Sequence, residues 1–304
     1  MIAAVLAVIL VATPVMADIG GHLEASTEAE FTGEQVVLCE TPDGQRTTVF
    51  EVAQRDGTVV AWDESSEESM VSLAPGLSVT SVGDRVEATS VVGSRSAQPD
   101  AYTEGDPVAT TYLGRPATQV SFFRDGTERV RLVIDEATQA VLRSTTYDAA
   151  GGAYCDRRLV SFSTEVGEVP TLPSEDVVDA ATPLEATPGA LPESAAGLEL
   201  IDTYAVEEGT LSYYSDGFFS VGVVVTGRPV HLGDGAEVVE VEAARGSYRR
   251  SFRAGSAVVA WSSGTENLAL ITDLPPDMVE DFLEELPEPV DAGFFRRIWS
   301  RFFG

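Results

Sequence analysis

The sequence predicts an α+β protein: a large curved antiparallel β half-barrel followed by a small α+β domain. Three observations carry this. Apolar residues alternate or run in short stretches from about residue 31 to 165. Pairs such as Asp56–Gly57 and Asp125–Gly126 punctuate those stretches as hairpin turns do. A single helical period occurs, near the C-terminus.

The chain has 304 residues, 44% of them hydrophobic, which is enough for two domains that each bury a core. Its 49 acidic residues against 19 basic ones give a formal net charge of −30, which argues against a nucleic-acid partner, because phosphate binding needs a clustered cationic face. All the basic residues are arginine, as GC-rich coding produces.

Residues 1–17 read as a signal peptide: Met1 to Ala12 is apolar, Pro14 breaks the run, and Val15 and Ala17 place small residues at a cleavage point. No Lys or Arg precedes the run, so a true start several residues upstream and a weak uncleaved anchor both stay open. Export, to a periplasm or to the extracytoplasmic face of the cytoplasmic membrane, is the expectation. Cys39 and Cys155 are the only cysteines, and each sits in a strand-like stretch. An exported chain with an even count oxidises such a pair. The expected disulfide joins the first and last strands of one domain.

The first domain, 18–165, is expected to be one sheet too long to stay flat. "EQVVLCE", "RTTVFEVAQ", "TVVAWDE" and "ESMVSLAPG" are its early strands. "YLGRPATQVSFFRDGTERVRLVIDEATQAVLRSTTYD" and "AYCDRRLVSF" supply the late ones. Residues 166–197, rich in Pro, Ala and acids, form an extended linker. The second domain, 198–288, adds strands such as "FFSVGVVV" and "SAVVAWSS" and one helix. Asp277 is its expected N-cap, Val279, Phe282, Leu283 and Leu286 its apolar face, and Pro287 its stop.

Chemistry-bearing motifs are missing. His22 and His231 have no metal-ligand spacing around them, and no nucleophile elbow, P-loop or dinucleotide fingerprint occurs. The sequence gives no reason to expect an enzyme, a metal or a cofactor. Two stretches stand out instead. Val49, Trp62, Val71, Phe122, Leu132 and Ile134 are expected to line one apolar sheet face, which is either a core or a cleft for an acyl chain. "RGSYRRSFR", with Arg245, Arg249, Arg250 and Arg253, is either a solvent-facing alternation or a docking edge for an acidic partner.

The segment "YLGRPATQVSFFRDGTERVRLVIDEATQAVLRSTTYDAAGGAYCDRRLVSF" resembles the RseB/MucB family of sigma-E regulatory proteins. It carries the family's "GR" turn at Gly114–Arg115 and its Asp125–Gly126–Thr127 turn. A strand ending at Asp135 follows, then Leu142–Arg143–Ser144 and Leu159–Phe162. "YYSDGFFSVGVVV" and "ENLALITDLPPDMVEDFLEEL" resemble elements of the family's second domain. The resemblance implies a first domain like the lipoprotein carriers LolA and LppX, with an apolar cavity under helices. It also implies binding to the extracytoplasmic part of a membrane-bound anti-sigma factor, relieved by a lipid or lipoprotein signal. Between Glu68 and Tyr112 there is room for fewer helices than in the larger family members. A periplasmic or cell-surface lipid or lipoprotein carrier is the alternative.

The tail 289–304 concentrates arginines and aromatics. Phe294, Phe295, Arg297, Ile298, Trp299, Arg301 and Phe302 make a short amphipathic segment suited to membrane contact. Folding back over the protein's own surface is the other reading.

Overall fold

The computed structural model describes residues 29–167 and 191–289, apart from several short turns and the segments 92–100 and 231–237. The signal segment, most of the linker, the tail, His22 and His231 lie outside the described residues.

Twelve antiparallel strands make the first sheet: β1 (Phe31–Thr41), β2 (Gly44–Arg55), β3 (Thr58–Asp63), β4 (Glu68–Ala74), β5 (Leu77–Val82), β6 (Arg85–Val91), β7 (Thr103–Glu104), β8 (Val108–Tyr112), β9 (Arg115–Arg124), β10 (Thr127–Asp135), β11 (Val141–Tyr147) and β12 (Ala153–Leu159). They run in the order β6-β5-β4-β3-β2-β1-β12-β11-β10-β9-β7, with β8 also paired to β9. Two meanders thus meet at β1 and β12, and Cys39 lies opposite Cys155 there in a disulfide. The bond closes a loop of 116 residues, for which chain entropy alone gives about 4–5 kcal/mol.

The turns follow the local chemistry. Leu113–Gly114 and Asp125–Gly126 both have positive φ at both residues, the two-residue hairpin whose twist matches the strands it joins. At the end of β10, Asp135 Oδ2 accepts from the backbone N–H and the hydroxyl of Thr138. Arg115 clamps both oxygens of the same carboxylate, at 2.8 and 3.0 Å. The "GR" turn and the strand-ending Asp, far apart in the sequence pattern, are therefore one ion pair.

The second sheet has eight antiparallel strands: β13 (Ser194–Ala195), β14 (Leu198–Val206), β15 (Gly209–Ser215), β16 (Ser220–Thr226), β17 (Val239–Ala243), β18 (Gly246–Arg253), β19 (Ser256–Ser263) and β20 (Glu266–Thr272), in the order β13-β14-β15-β16-β20-β19-β18-β17. Helix α1 (Pro276–Glu285) follows. Its cap position is held by Pro275, not by Asp277. Asp277 lies in the first turn, where its carboxylate meets the helix N-terminus and pairs with Arg129 at 2.9 Å. Phe282 and Leu286 are buried as the apolar period requires, with Met278 beside them and Val279 and Leu283 partly covered.

Among the described residues the protein is thus mostly antiparallel sheet with one short helix, and neither sheet closes on itself. The described residues from Glu68 to Tyr112 form strands β4 to β8 and the short connections at 101–102 and 105–107, with no helix among them. The first sheet curls. Its β6 end and its β9–β10 end are nine strand steps apart, about 43 Å if flat. Yet β6 comes alongside β15, and β9 meets the turn that leads out of β15. One cluster of buried residues accordingly runs through both sheets, from Val120, Phe122, Leu132 and Ile134 to Tyr214, Phe218, Val223 and Phe282.

Candidate functional site

The seam between the sheets centres on the turn Ser215–Ser220, the "YSDG" stretch of the sequence. Gly217 has φ +93°, a conformation that side chains resist, so the chain reverses here at a glycine. Asp216 Oδ1 accepts from the backbone N–H groups of Phe218 and Phe219 at 3.0 and 2.9 Å. Its Oδ2 reaches the first sheet, where the Tyr102 hydroxyl donates at 2.7 Å and Arg124 Nη1 at 3.1 Å. Arg124 also donates to the Ala196 carbonyl. The next backbone donor, Ser220 N–H, goes to Asp273 Oδ1 at 3.0 Å. Three successive N–H groups of one turn are thus held by two carboxylates.

The turn presents Phe218 to the first sheet. Its ring lies 4.7 Å from that of Tyr102 and 4.6 Å from that of Phe122. Arg129 to Asp277, and the Ala196 N–H to Glu285, hold the helix in the same assembly. The two acids that hold the turn are themselves buried. Burial is the main force on Asp273 and pushes it up to about 6, with Arg157 on β12 pulling the other way. Asp216 is also raised by burial, opposed by its four donors. Tyr102, beside Phe218, is pushed well above its ordinary value by burial and by Asp216.

The six residues expected on one apolar face are divided by the register. Directly opposed residues share a face. Trp62 pairs with Glu51, Val49 with Val36, Val36 with Arg158, Arg158 with Arg143 and Arg143 with Val133. Val49 and Trp62 therefore lie on the face of Val133, opposite to Leu132. Val49 is 44% exposed and Trp62 half-buried. On the other face, Phe122, Leu132 and Ile134 are at most 2% exposed and packed against the second sheet. Val71 pairs with Val60 in β4.

The arginines of "RGSYRRSFR" are dispersed. Arg249 is exposed and donates to the Val230 carbonyl. Arg250 stacks over Phe252, and Arg253 ends β18. Arg245 and the tail residues Phe294 to Phe302 lie outside the described residues.

Sequence reasoning missed Tyr102, Arg124, Asp216, Phe218 and Asp273 as a group. The signal for it was an acid lodged in an otherwise aromatic string, "YYSDGFF", and a second closing "LALITD". Among the described residues no group of three or more His, Cys, Asp or Glu is placed to hold a metal ion. No helix among them is long and apolar enough to cross a membrane.

No protein-family model and no curated protein matches the chain. Among solved structures it is similar to the MucA/MucB complex of Pseudomonas aeruginosa, with 17% identity over 90% of this chain and 100% of that one, at a TM-score of 0.47. It is similar to MucB in complex with MucA(peri) at 18% identity over the same shares, again at 0.47. A LolA superfamily protein from Nitrosomonas europaea shares 9% identity over 86% of this chain and 97% of that one, at 0.23. The structural comparison thus returns the proteins that the sequence pattern resembles, at identities that leave function to be argued from the chain's own residues.

Proposed function

We propose that this protein is an exported, non-enzymatic regulatory binding protein of the RseB/MucB kind, which engages the extracytoplasmic part of a membrane-bound anti-sigma factor. The sequence pattern of both halves supports the reading, and similar structures are described as MucB bound to MucA. One observation favours a protein partner over an acyl cargo. Phe122, Leu132 and Ile134, the apolar residues best placed to line a lipid cleft, are closed off by Phe218 and its neighbours. A carrier needs that surface open to its ligand.

Arg249, Arg250 and Arg253 on β18, with Arg245 before them, are the docking surface in this reading, one strand in from the sheet's β17 edge, and the arginine-aromatic tail keeps the protein beside the membrane that holds its partner. Three arginines near an anionic surface contribute about 3 kcal/mol, enough for reversible contact.

The test is capture of membrane proteins on the purified chain, with native mass spectrometry of the chain itself. Recovery of a sigma-factor antagonist, lost on replacing Arg249 and Arg250 by Glu, supports the proposal. An acyl mass that co-purifies with the chain, without any such antagonist, overturns it in favour of a lipid or lipoprotein carrier.

A further inference from the structure

The face of the first sheet opposite to Leu132 carries charges of both signs, sorted by strand. Arg143 on β11 and Arg158 on β12 stand directly opposite each other, with side chains 40% and 41% exposed. On the same face Glu34 on β1 and Glu51 on β2 are likewise opposed, and both are half-buried. Like charges directly opposed across two strands are destabilising. Two such pairs, of opposite sign, thus lie side by side.

The fold compensates only part of this. Asp156 accepts from Arg143 Nε at 2.6 Å and from the Thr145 hydroxyl at 3.0 Å, and its other oxygen lies 3.4 Å from Arg158 Nη1. One carboxylate between two guanidiniums leaves one positive charge over, on side chains that reach solvent. Glu34 meets Ser161 through its backbone N–H, and among the described residues neither the Glu34 nor the Glu51 carboxylate has an ion-pair or hydrogen-bond partner.

Apolar surface separates the two pairs. Arg158 is opposite Val36, and Val160, whose N–H donates to the Glu34 carbonyl, is opposite Glu34. Valines therefore hold one diagonal of this square, and Arg158 and Glu34 the other. Val160 is 39% exposed, and Val49, opposite Val36, is 44% exposed. A twofold axis laid along the valine diagonal sets valine on valine and brings Arg158 of each copy over Glu34 of the other. Arg143 and Glu51 lie just beyond those corners, within reach of long side chains. Such self-complementarity is what an isologous contact requires. Most of the −30 net charge lies farther away than the Debye length of about 8 Å and is screened at physiological salt.

We propose that two copies of this chain meet through this outer face of the first sheet, as a twofold dimer held by valine contact and crossed Arg–Glu pairs. The four strands from β11 to β2 span only about 14 Å, so the contact is weak and reversible. It lies on the other sheet from β18 and holds whatever the membrane partner is.

Sedimentation equilibrium of the full chain over a concentration series, at about 0.15 M salt, tests it. A monomer–dimer equilibrium with a Kd between about 10 μM and about 1 mM is expected of so small a contact. Arg143→Glu with Arg158→Glu weakens self-association about tenfold or more, and so, separately, does Glu34→Arg with Glu51→Arg, because each sets like charges face to face. Mixing the two reversed chains restores it. A chain still monomeric at about 1 mM, an association that neither reversal touches, or a mixture that fails to associate overturns the proposal. Should a reversed chain fail to fold, Val49→Arg at its exposed position decides: association about tenfold weaker upholds the dimer, and unchanged association overturns it.

Discussion

Asp135 and Asp273 occupy equivalent places in the two sheets and titrate in opposite directions. Each stands at the end of a strand and organises a turn: Asp135 accepts from Thr138, and Asp273 from Ser220. Both are almost wholly buried. Asp135, however, meets Arg115 through both oxygens, and that pairing holds its carboxyl below the usual range against the pull of burial. Asp273 receives the Ser220 N–H and faces Arg157, and there burial wins. The same side chain at the end of a strand, bonded to its own turn in one sheet and to a distant turn in the other, is thus held as an anion in the first and pushed toward its protonated form in the second. Two things separate them: the bidentate arginine that meets Asp135, and the heavier desolvation of Asp273.

The severest way to break this contrast is Asp216→Ala. It removes the acceptor shared by Tyr102, Arg124 and two backbone donors and leaves a cation under the seam without its partner. Loss of one member of a buried pair costs about 3–5 kcal/mol, read here by urea denaturation. A cost below about 1 kcal/mol would mean that water already reaches the seam, and the difference between Asp135 and Asp273 would lose its cause.

The pH dependence of stability sharpens the contrast next. Asp273 binds its proton more tightly in the folded than in the unfolded chain, so its contribution rises as pH falls from about 6 toward 3.8 and is absent above that window. The shift of about 2 units corresponds to roughly 3 kcal/mol held back at neutral pH. Asp135 contributes the other way: its stabilisation is complete above its unfolded value of 3.8 and disappears only as pH falls through its lowered folded value. Denaturation midpoints of the unaltered chain therefore rise on mild acidification before they fall. Asp273→Asn is expected to match or exceed the unaltered chain at neutral pH and to lose that advantage near pH 5. A variant weaker at neutral pH than in acid would contradict the sign.

Some of this was legible in the sequence. Alternation gave the strands of both sheets, Asp125–Gly126 its hairpin, and the strand-like settings of Cys39 and Cys155 their pairing. These depend on neighbours a few residues away or on one covalent constraint. The face on which a strand's apolar residues point depends on register carried across many strands, and a shift of one residue reverses it. The pairings that run from β3 through β2, β1, β12 and β11 to β10 fix that face, and nothing within any one strand marks it. Val49 and Trp62 consequently look like partners of Phe122 in the sequence and lie across the sheet from Leu132 in the structure. Asp216 and Asp273 were illegible for a related reason. An acid beside glycine or proline reads as surface turn, and only the docking of a second sheet makes it buried.

Arg115→Ala is the gentlest change and the one that joins the two halves of the comparison. Arg115 is 32% exposed in its side chain, and its cation also lies 4.7 Å over the ring of Phe162. Partial exposure limits what the pair contributes, so the expected loss at neutral pH is about 1 kcal/mol. The informative readout is the carboxyl titration of Asp135. Without the guanidinium, Asp135 retains Thr138 while burial continues to disfavour its charge, so its midpoint moves upward, toward the behaviour of Asp273. If it stays where it was, the Thr138 donors rather than Arg115 set the anion. The missing bidentate arginine would then no longer explain why Asp273 takes up a proton.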